Sequence, residues 1–284
     1  MTLIKDKAKF GNTATEFLDL MFARILDNGY GQIELKLIKN CDVRSTFHST
    51  YDTLIDAAYD GCNNGWNVYF GVNPRTGGAG TKENVHYLTS FHAEVDYGKA
   101  GHKKKPDYLT YEEALEAIQS YALQPTIINH SGGGFHCYWV LNNAITVEKH
   151  GVKTLENINK GLSRDLKADP GTHDLSRVLR IPDTFNQKLP GNPREVTVIT
   201  MAGPRYKLED FERFLKPVKP AEIKEENKLD TKTSATWDED IKSLKISDKI
   251  KNLIKKGNDG TYASRSEAEM AVILALKHKG YEKS

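Results

Sequence analysis

Apolar positions recur along this chain with two periods, and the switches between them predict its elements. Over residues 14–27 (ATEFLDLMFARILD), Phe17, Leu18, Met21, Phe22 and Ile25 share one helical stripe, which Asn28-Gly29 ends. Residues 32–39 (QIELKLIK) alternate instead, as a half-buried strand does. A helix around residues 51–60 follows, then a strand at 66–72. A glycine-rich loop, NPRTGGAGTKENV, leads from there into the strand 87–98, YLTSFHAEVDYG. Thr110 with Glu113 three residues on is a capping box, opening a helix that runs to Ala122. Residues 126–141 (TIINHSGGGFHCYWVL) read as strand, tight glycine turn, strand. Residues 147–166 form a helix with Leu155, Ile158, Leu162 and Leu166 on one stripe. Strands at 177–181 and 195–201 and a short helix at 208–215 complete this part.

Beyond it, residues 216–237 turn to Lys, Glu, Pro and Thr with little apolar content, the composition of a charged linker. The division is therefore a large α+β domain at 1–215, the linker, and a small helical domain at 238–284. Its helices fall at 238–256 and 264–278. The second is apolar nearly all round (Met270, Ala271, Val272, Ile273, Leu274, Leu276), which predicts burial. Roughly 45 residues is small for an autonomous domain, so the module reads as truncated.

Composition narrows the class. The 284 residues are 38% hydrophobic and 27% charged, enough for a core in a soluble chain, and no apolar run reaches the length of a membrane span. Basic residues number 40 against 38 acidic ones, a net charge of +2, so any nucleic-acid contact must come from local patches. Cys41, Cys62 and Cys137 are odd in number and widely spaced. They make neither a zinc pattern nor a disulfide framework, which suits a reducing cytoplasm.

Candidate chemistry gathers in three stretches. Glu94 and Asp96 stand at i and i+2 on a predicted strand, so both project from one face and can converge on a point. Two adjacent like charges are unfavourable without a cation, and hard divalent ions prefer oxygen ligands; the bland alternative is two solvated acids on an edge strand. Three successive glycines before His136 let backbone amides crowd a ligand, or merely make a sharp hairpin. Asp174, Arg177, Arg180 and Lys188 lie within 15 residues of sequence, DLSRVLRIPDTFNQK, and could hold a metal and a polyphosphate together. Their alternative is a strand laced with salt bridges of small value. Asp169 is a rival third carboxylate, ranked below Asp174. Arg75 in the glycine-rich loop could reach a phosphate, and Lys103, Lys104 and Lys105 are candidate DNA contacts or a solvated charge run.

In this order, HAEVD, SGGGFH and DLSRVLRIPDTFNQK resemble the acidic, Ser-x-His and aspartate motifs of the archaeo-eukaryotic primase superfamily, in its plasmid, phage and CRISPR-associated primase–polymerase branch. The likeness covers residues 60–200 and, more loosely, the tail SRSEAEMAVILALKHKGY. It implies a catalytic domain of mixed or antiparallel, RNA-recognition-like sheets flanking an acidic cleft. It implies a template-dependent nucleotidyltransferase, a DNA primase and polymerase that makes and extends primers on single-stranded DNA. Glu94, Asp96 and Asp174 would be the catalytic carboxylates, holding two Mg²⁺ or Mn²⁺ ions. Ser131, Gly134 and His136, with Arg180, Lys188 and Arg75, would bind the incoming NTP or dNTP. Expected partners are template and nucleotide, with a helicase in cis or trans as a further candidate, around a monomer. Two departures mark the chain: Glu94 opens the acidic motif where many members carry aspartate, and Asp183 replaces the glycine usual after the proline. Competing readings are a metal-dependent nuclease and a non-catalytic DNA-binding replication initiator.

Overall fold

The structure, a computed structural model, describes residues 4, 10–98, 106–189, 191–215, 241, 243–257 and 265–279. The chain divides into two compact units, Met1–Val218 and Lys219–Ser284. Lys103, Lys104, Lys105 and the expected linker lie outside the described residues.

Two four-stranded sheets make the frame of the first unit. In chain order its elements begin α1 (Asn12–Asp27), β1 (Ile33–Lys39), β2 (Asp42–His48), α2 (Tyr51–Asn63), β3 (Asn67–Gly71), β4 (Tyr87–Asp96) and α3 (Tyr111–Gln119). They continue β5 (Ile127–His130), β6 (Gly134–Thr146), α4 (Val147–His150), α5 (Val152–Asp165) and β7 (Val178–Arg180). The last are β8 (Phe185–Asn186), β9 (Arg194–Glu195), β10 (Thr197–Thr200) and α6 (Glu212–Leu215). One sheet runs β2-β1-β3-β7, the other β10-β5-β6-β4, and β8 pairs with β9 in a short ribbon. Every pairing between strands is antiparallel, as the α+β expectation requires.

Strand alternation gives the second sheet two unlike faces. Phe91, Ala93, Val95, Phe135, Cys137 and Trp139 point to one side, where they form a core with Ala114 and Ile118 of α3 and Leu155, Ile158 and Leu162 of α5. Tyr138 and Val140 point to the other, into a second core with α1 and the first sheet. The apolar stripe of α1 fills that space: Phe17 meets Phe70 of β3 and Tyr138 of β6 edge-on, at centroid distances of 5.1 and 5.5 Å. The glycine position that Asp183 occupies is left-handed, with φ at 64°. Its carboxylate accepts from the Ala14 amide at 3.0 Å, so the residue caps α1, the helix end where an anion is favourable, and does not stand in the acidic cluster. The capping box of α3 forms with one change of partner: Thr110 accepts from the Glu113 amide at 3.2 Å, while Glu113 accepts from Leu109 at 2.8 Å.

Some elements differ from their sequence expectation. The helix expected at 147–166 is broken by Gly151, whose φ of 82° no helix interior allows. β2 has no counterpart in the sequence reading, because an edge strand exposed along most of its length carries no alternation of apolar residues. In the second unit the helix expected at 238–256 is interrupted at 244–247, where Ser247 caps the helix Asp248–Lys256, and a helix Arg265–His278 follows. Met270, Ile273 and Leu274 are 54%, 56% and 51% exposed, so the burial expected all round the last helix does not hold; Ala268 marks its covered side. Among the described residues no helix is long and apolar enough to cross a membrane.

Candidate active site

Register brings the first pieces together. Asn129 of β5, His136 of β6 and Glu94 of β4 lie in one cross-strand row, and Asp96 stands in the next opposite Gly134. Gly134 is the one residue type that fits there: a Cβ would lie 2.7 Å from an Asp96 carboxylate oxygen and 2.8 Å from the Val95 carbonyl. Ser131 fastens the turn, its amide and hydroxyl donating to the Gly134 carbonyl at 2.8 and 3.0 Å. Asn186 donates to the Ser131 carbonyl at 3.1 Å and ties the turn to β8. The Ser131 hydroxyl is thus a turn lock, not a free donor.

The open edge of β4 is covered by the segment after α5. Asp169 donates its amide to the Glu94 carbonyl at 3.0 Å. Asn159 of α5 accepts from the His92 amide at 3.0 Å and donates to the His173 carbonyl at 3.1 Å. His92 is fully buried, which lowers its pKa to about 4; the neutral ring donates from Nε2 to the Thr172 carbonyl at 2.9 Å. This network sets the acidic loop against the strand.

Arg177 occupies the gap that results. Its Nε lies 3.5 Å from Glu94 Oε1 and its Nη2 lies 3.3 Å from Asp174 Oδ2. Asp174, which also accepts from the Ser176 hydroxyl at 3.0 Å, therefore faces Glu94 across a guanidinium. Among the described residues no three acidic, imidazole or thiol groups form a ready metal cage, and Asp174, the expected third carboxylate, meets Glu94 only through Arg177. The carboxylates acting on Glu94 are Asp96 and Asp169. Burial above all raises the Glu94 pKa to about 7; Arg177 opposes it, Asp96 and Asp169 add to it, and Arg180 again opposes. Burial rather than a lack of cations holds this acid above its usual range, since Arg177 and Arg180 both pull it down. Glu94, Asp96 and Asp169 are the oxygen donors that could hold a hard divalent ion there, and as they stand they form no closed cage.

Cations line the other side of the cleft. Arg180 of β7 donates to the Tyr69 hydroxyl at 3.0 Å and to Asn67 Oδ1 at 3.3 Å, with its charge 4.9 Å from the Tyr69 ring centroid. Its Nε is buried without a partner. Lys188 is exposed at the residue level, yet its ammonium is held below its ordinary range, first by partial burial, then by Arg180; Arg194 adds to this while Glu94 and Asp96 oppose it. His136 is 3% exposed, and burial, with Arg180 next, pushes its pKa well below the ordinary value. It is a neutral imidazole whose Nε2 lies 3.9 Å from Glu94 Oε2, so it offers a hydrogen bond rather than a charge. Arg194 reaches over the glycine turn; a Cβ at Gly133 would lie 3.2 Å from its guanidinium nitrogens. Nothing in the sequence pattern separates this arginine from a solvated one.

Arg75, expected as a phosphate ligand, is committed elsewhere. It is fully buried, paired with Glu34 of β1 at 3.0 Å, and donates to the Asn73 and Ser176 carbonyls at 2.6 and 2.7 Å. With its donors committed inside the protein it cannot meet a nucleotide, and it holds in place the turn that carries Arg177.

The arrangement of two antiparallel sheets is similar to that of solved primase domains. The primase–polymerase domain of cyanophage S-2L matches with a TM-score of 0.51 at 16% identity, over 72% of this chain and 96% of that one. The primase RepB' matches with a TM-score of 0.50 at 12% identity, over 71% of this chain and 60% of that one. No family model and no curated protein matches in sequence. The resemblance read from the three motifs thus holds at the level of the fold.

Proposed function

We propose that this chain is a template-dependent nucleotidyltransferase, a primase–polymerase that starts and extends strands on single-stranded DNA. One observation carries the reading: the acidic pair Glu94 and Asp96 shares a cleft with His136, the glycine turn and the cations Arg180, Lys188 and Arg194. A nuclease needs the acids but has no use for so many groups suited to a triphosphate.

The reaction is attack of a 3′-hydroxyl on the α-phosphate of a nucleotide, forming a new phosphodiester as the bond to the leaving pyrophosphate breaks. Bound Mg²⁺ or Mn²⁺ would supply Lewis-acid stabilisation of the attacking and leaving oxygens, held by Glu94, Asp96 and Asp169. Arg180, Lys188 and Arg194 neutralise the triphosphate, and the backbone at Gly132–Gly134 allows it close approach. Neutral His136 donates one hydrogen bond to a phosphate oxygen. Because the protein makes no covalent bond, positioning and charge carry the rate. Lys103, Lys104 and Lys105, on the segment after β4, contact the template.

The test is synthesis on a single-stranded template without primer, with NTPs and dNTPs compared, for wild type, Asp169→Ala and Asp174→Ala. The expected result is new strands from the wild type, none from Asp169→Ala and a smaller loss in Asp174→Ala. Shortened template would instead identify a nuclease. Template binding with no product of either kind would leave a DNA-binding initiator.

A further inference from the structure

Arg177 lies between two acids yet pairs closely with neither. Its contacts of 3.5 Å to Glu94 and 3.3 Å to Asp174 are longer than the roughly 2.7–2.9 Å of a charge-assisted hydrogen bond. Its Nε is buried without a hydrogen-bond partner. The one short bond it makes runs from Nη2 to the Gly171 carbonyl, at 2.6 Å. That bond tethers the side chain to the covering loop rather than to the acids. Among the described residues, Arg177 is also the only permanently charged group in ion-pair contact with Glu94. A fork of donors set against a single carboxylate would make a durable structural pair. A guanidinium stretched across two carboxylates, at a quarter exposure (24%), can be replaced.

From this geometry we infer that Arg177 is a built-in counter-cation: it neutralises Glu94 and Asp174 in the resting site and competes with a divalent ion for Glu94. The ion enters by displacing the guanidinium, which keeps its tether to Gly171 and stays in the cleft. Arg177 is thus a positioning residue that sets how readily the acids accept an ion and keeps them from repelling one another when none is bound. The inference rests on the reading of Glu94 as an ion ligand, and the test separates the two.

The measurement is Mn²⁺ binding to the full chain without nucleotide or DNA, read by electron paramagnetic resonance as loss of the free-ion signal. Arg177→Gln removes the competing charge from a part-exposed site and is expected to bind Mn²⁺ about tenfold more tightly than wild type. Arg177→Lys keeps a charge and should stay within about threefold of wild type. Glu94→Gln should lose the site. Thermal unfolding of each variant confirms that a folded chain was measured, and the lysine variant serves if glutamine does not fold. In that event, about tenfold tighter binding by Arg177→Lys overturns the inference, because charge would not be what competes. Equal or weaker binding by folded Arg177→Gln, with loss in Glu94→Gln, overturns the competition and leaves the ion site standing. Unchanged binding in Glu94→Gln, or none in any variant, overturns both.

Discussion

The two faces of the β10-β5-β6-β4 sheet are made by alternate residues of the same strands, and they treat polar groups in opposite ways. On the helix face Phe91, Ala93, Val95, Phe135 and Cys137 carry little polarity, and Trp139 satisfies its one donor on the Leu123 carbonyl at 2.8 Å. On the cleft face Ser90 Oγ and His136 Nδ1 are buried without a hydrogen bond, and neither polar atom of Asn129 has one of ordinary geometry. Arg180 Nε and Arg194 Nε add to that set. Buried polar atoms are normally paired, so the unpaired ones on this face are donors and acceptors that a ligand or water could satisfy. The helix face supplies stability; the cleft face gives some of it up to keep donors and acceptors available.

The largest contrast should come from cutting each face in turn. Trp139→Ala removes a fully buried side chain and should cost about 3–5 kcal/mol in chemical denaturation. Asp96→Asn, at a half-buried position on the cleft face, should change stability by less than about 1 kcal/mol. Equal losses would erase the distinction between the faces. Arg75→Gln sharpens it from the first sheet. Leaving buried Glu34 with only Lys36 and Ser45 as partners should cost about 2–3 kcal/mol, whereas the KM for nucleotide should not rise in enzyme that remains folded. A rise in KM at full stability would return Arg75 to the nucleotide site. The smallest effect belongs to Thr110→Ala, which strips the cap from α3 behind the helix face and should cost about 1 kcal/mol with activity unchanged.

Much of this site could be read from the sequence because it depends on local spacing. Glu94 and Asp96 share a face by strand period alone, and the glycines before His136 announce a turn wherever the chain goes next. The errors fell where distant partners decide. Arg75 looked free because Glu34, which neutralises it, lies 41 residues away. The loop that carries Asp169 and Asp174 is likewise oriented from afar, by His92 and Asn159 through bonds to Thr172 and His173. Asp183 stood out as a replacement for glycine, and its task, capping a helix 169 residues away, is invisible locally. The edge strand β2 was missed for a different reason: with one partner strand and solvent over most of its length, nothing forces its apolar residues to alternate.

The central claim is that the cleft face performs nucleotidyl transfer. Its most direct test is extension of an end-labelled primer on a DNA template with dNTPs and Mn²⁺, comparing wild type with Asp96→Asn. The account predicts products longer than the input for wild type and a rate lower by about a thousandfold or more in a variant that unfolds at the same temperature. Elongation undiminished in Asp96→Asn, or input shortened rather than lengthened by the wild type, would contradict it.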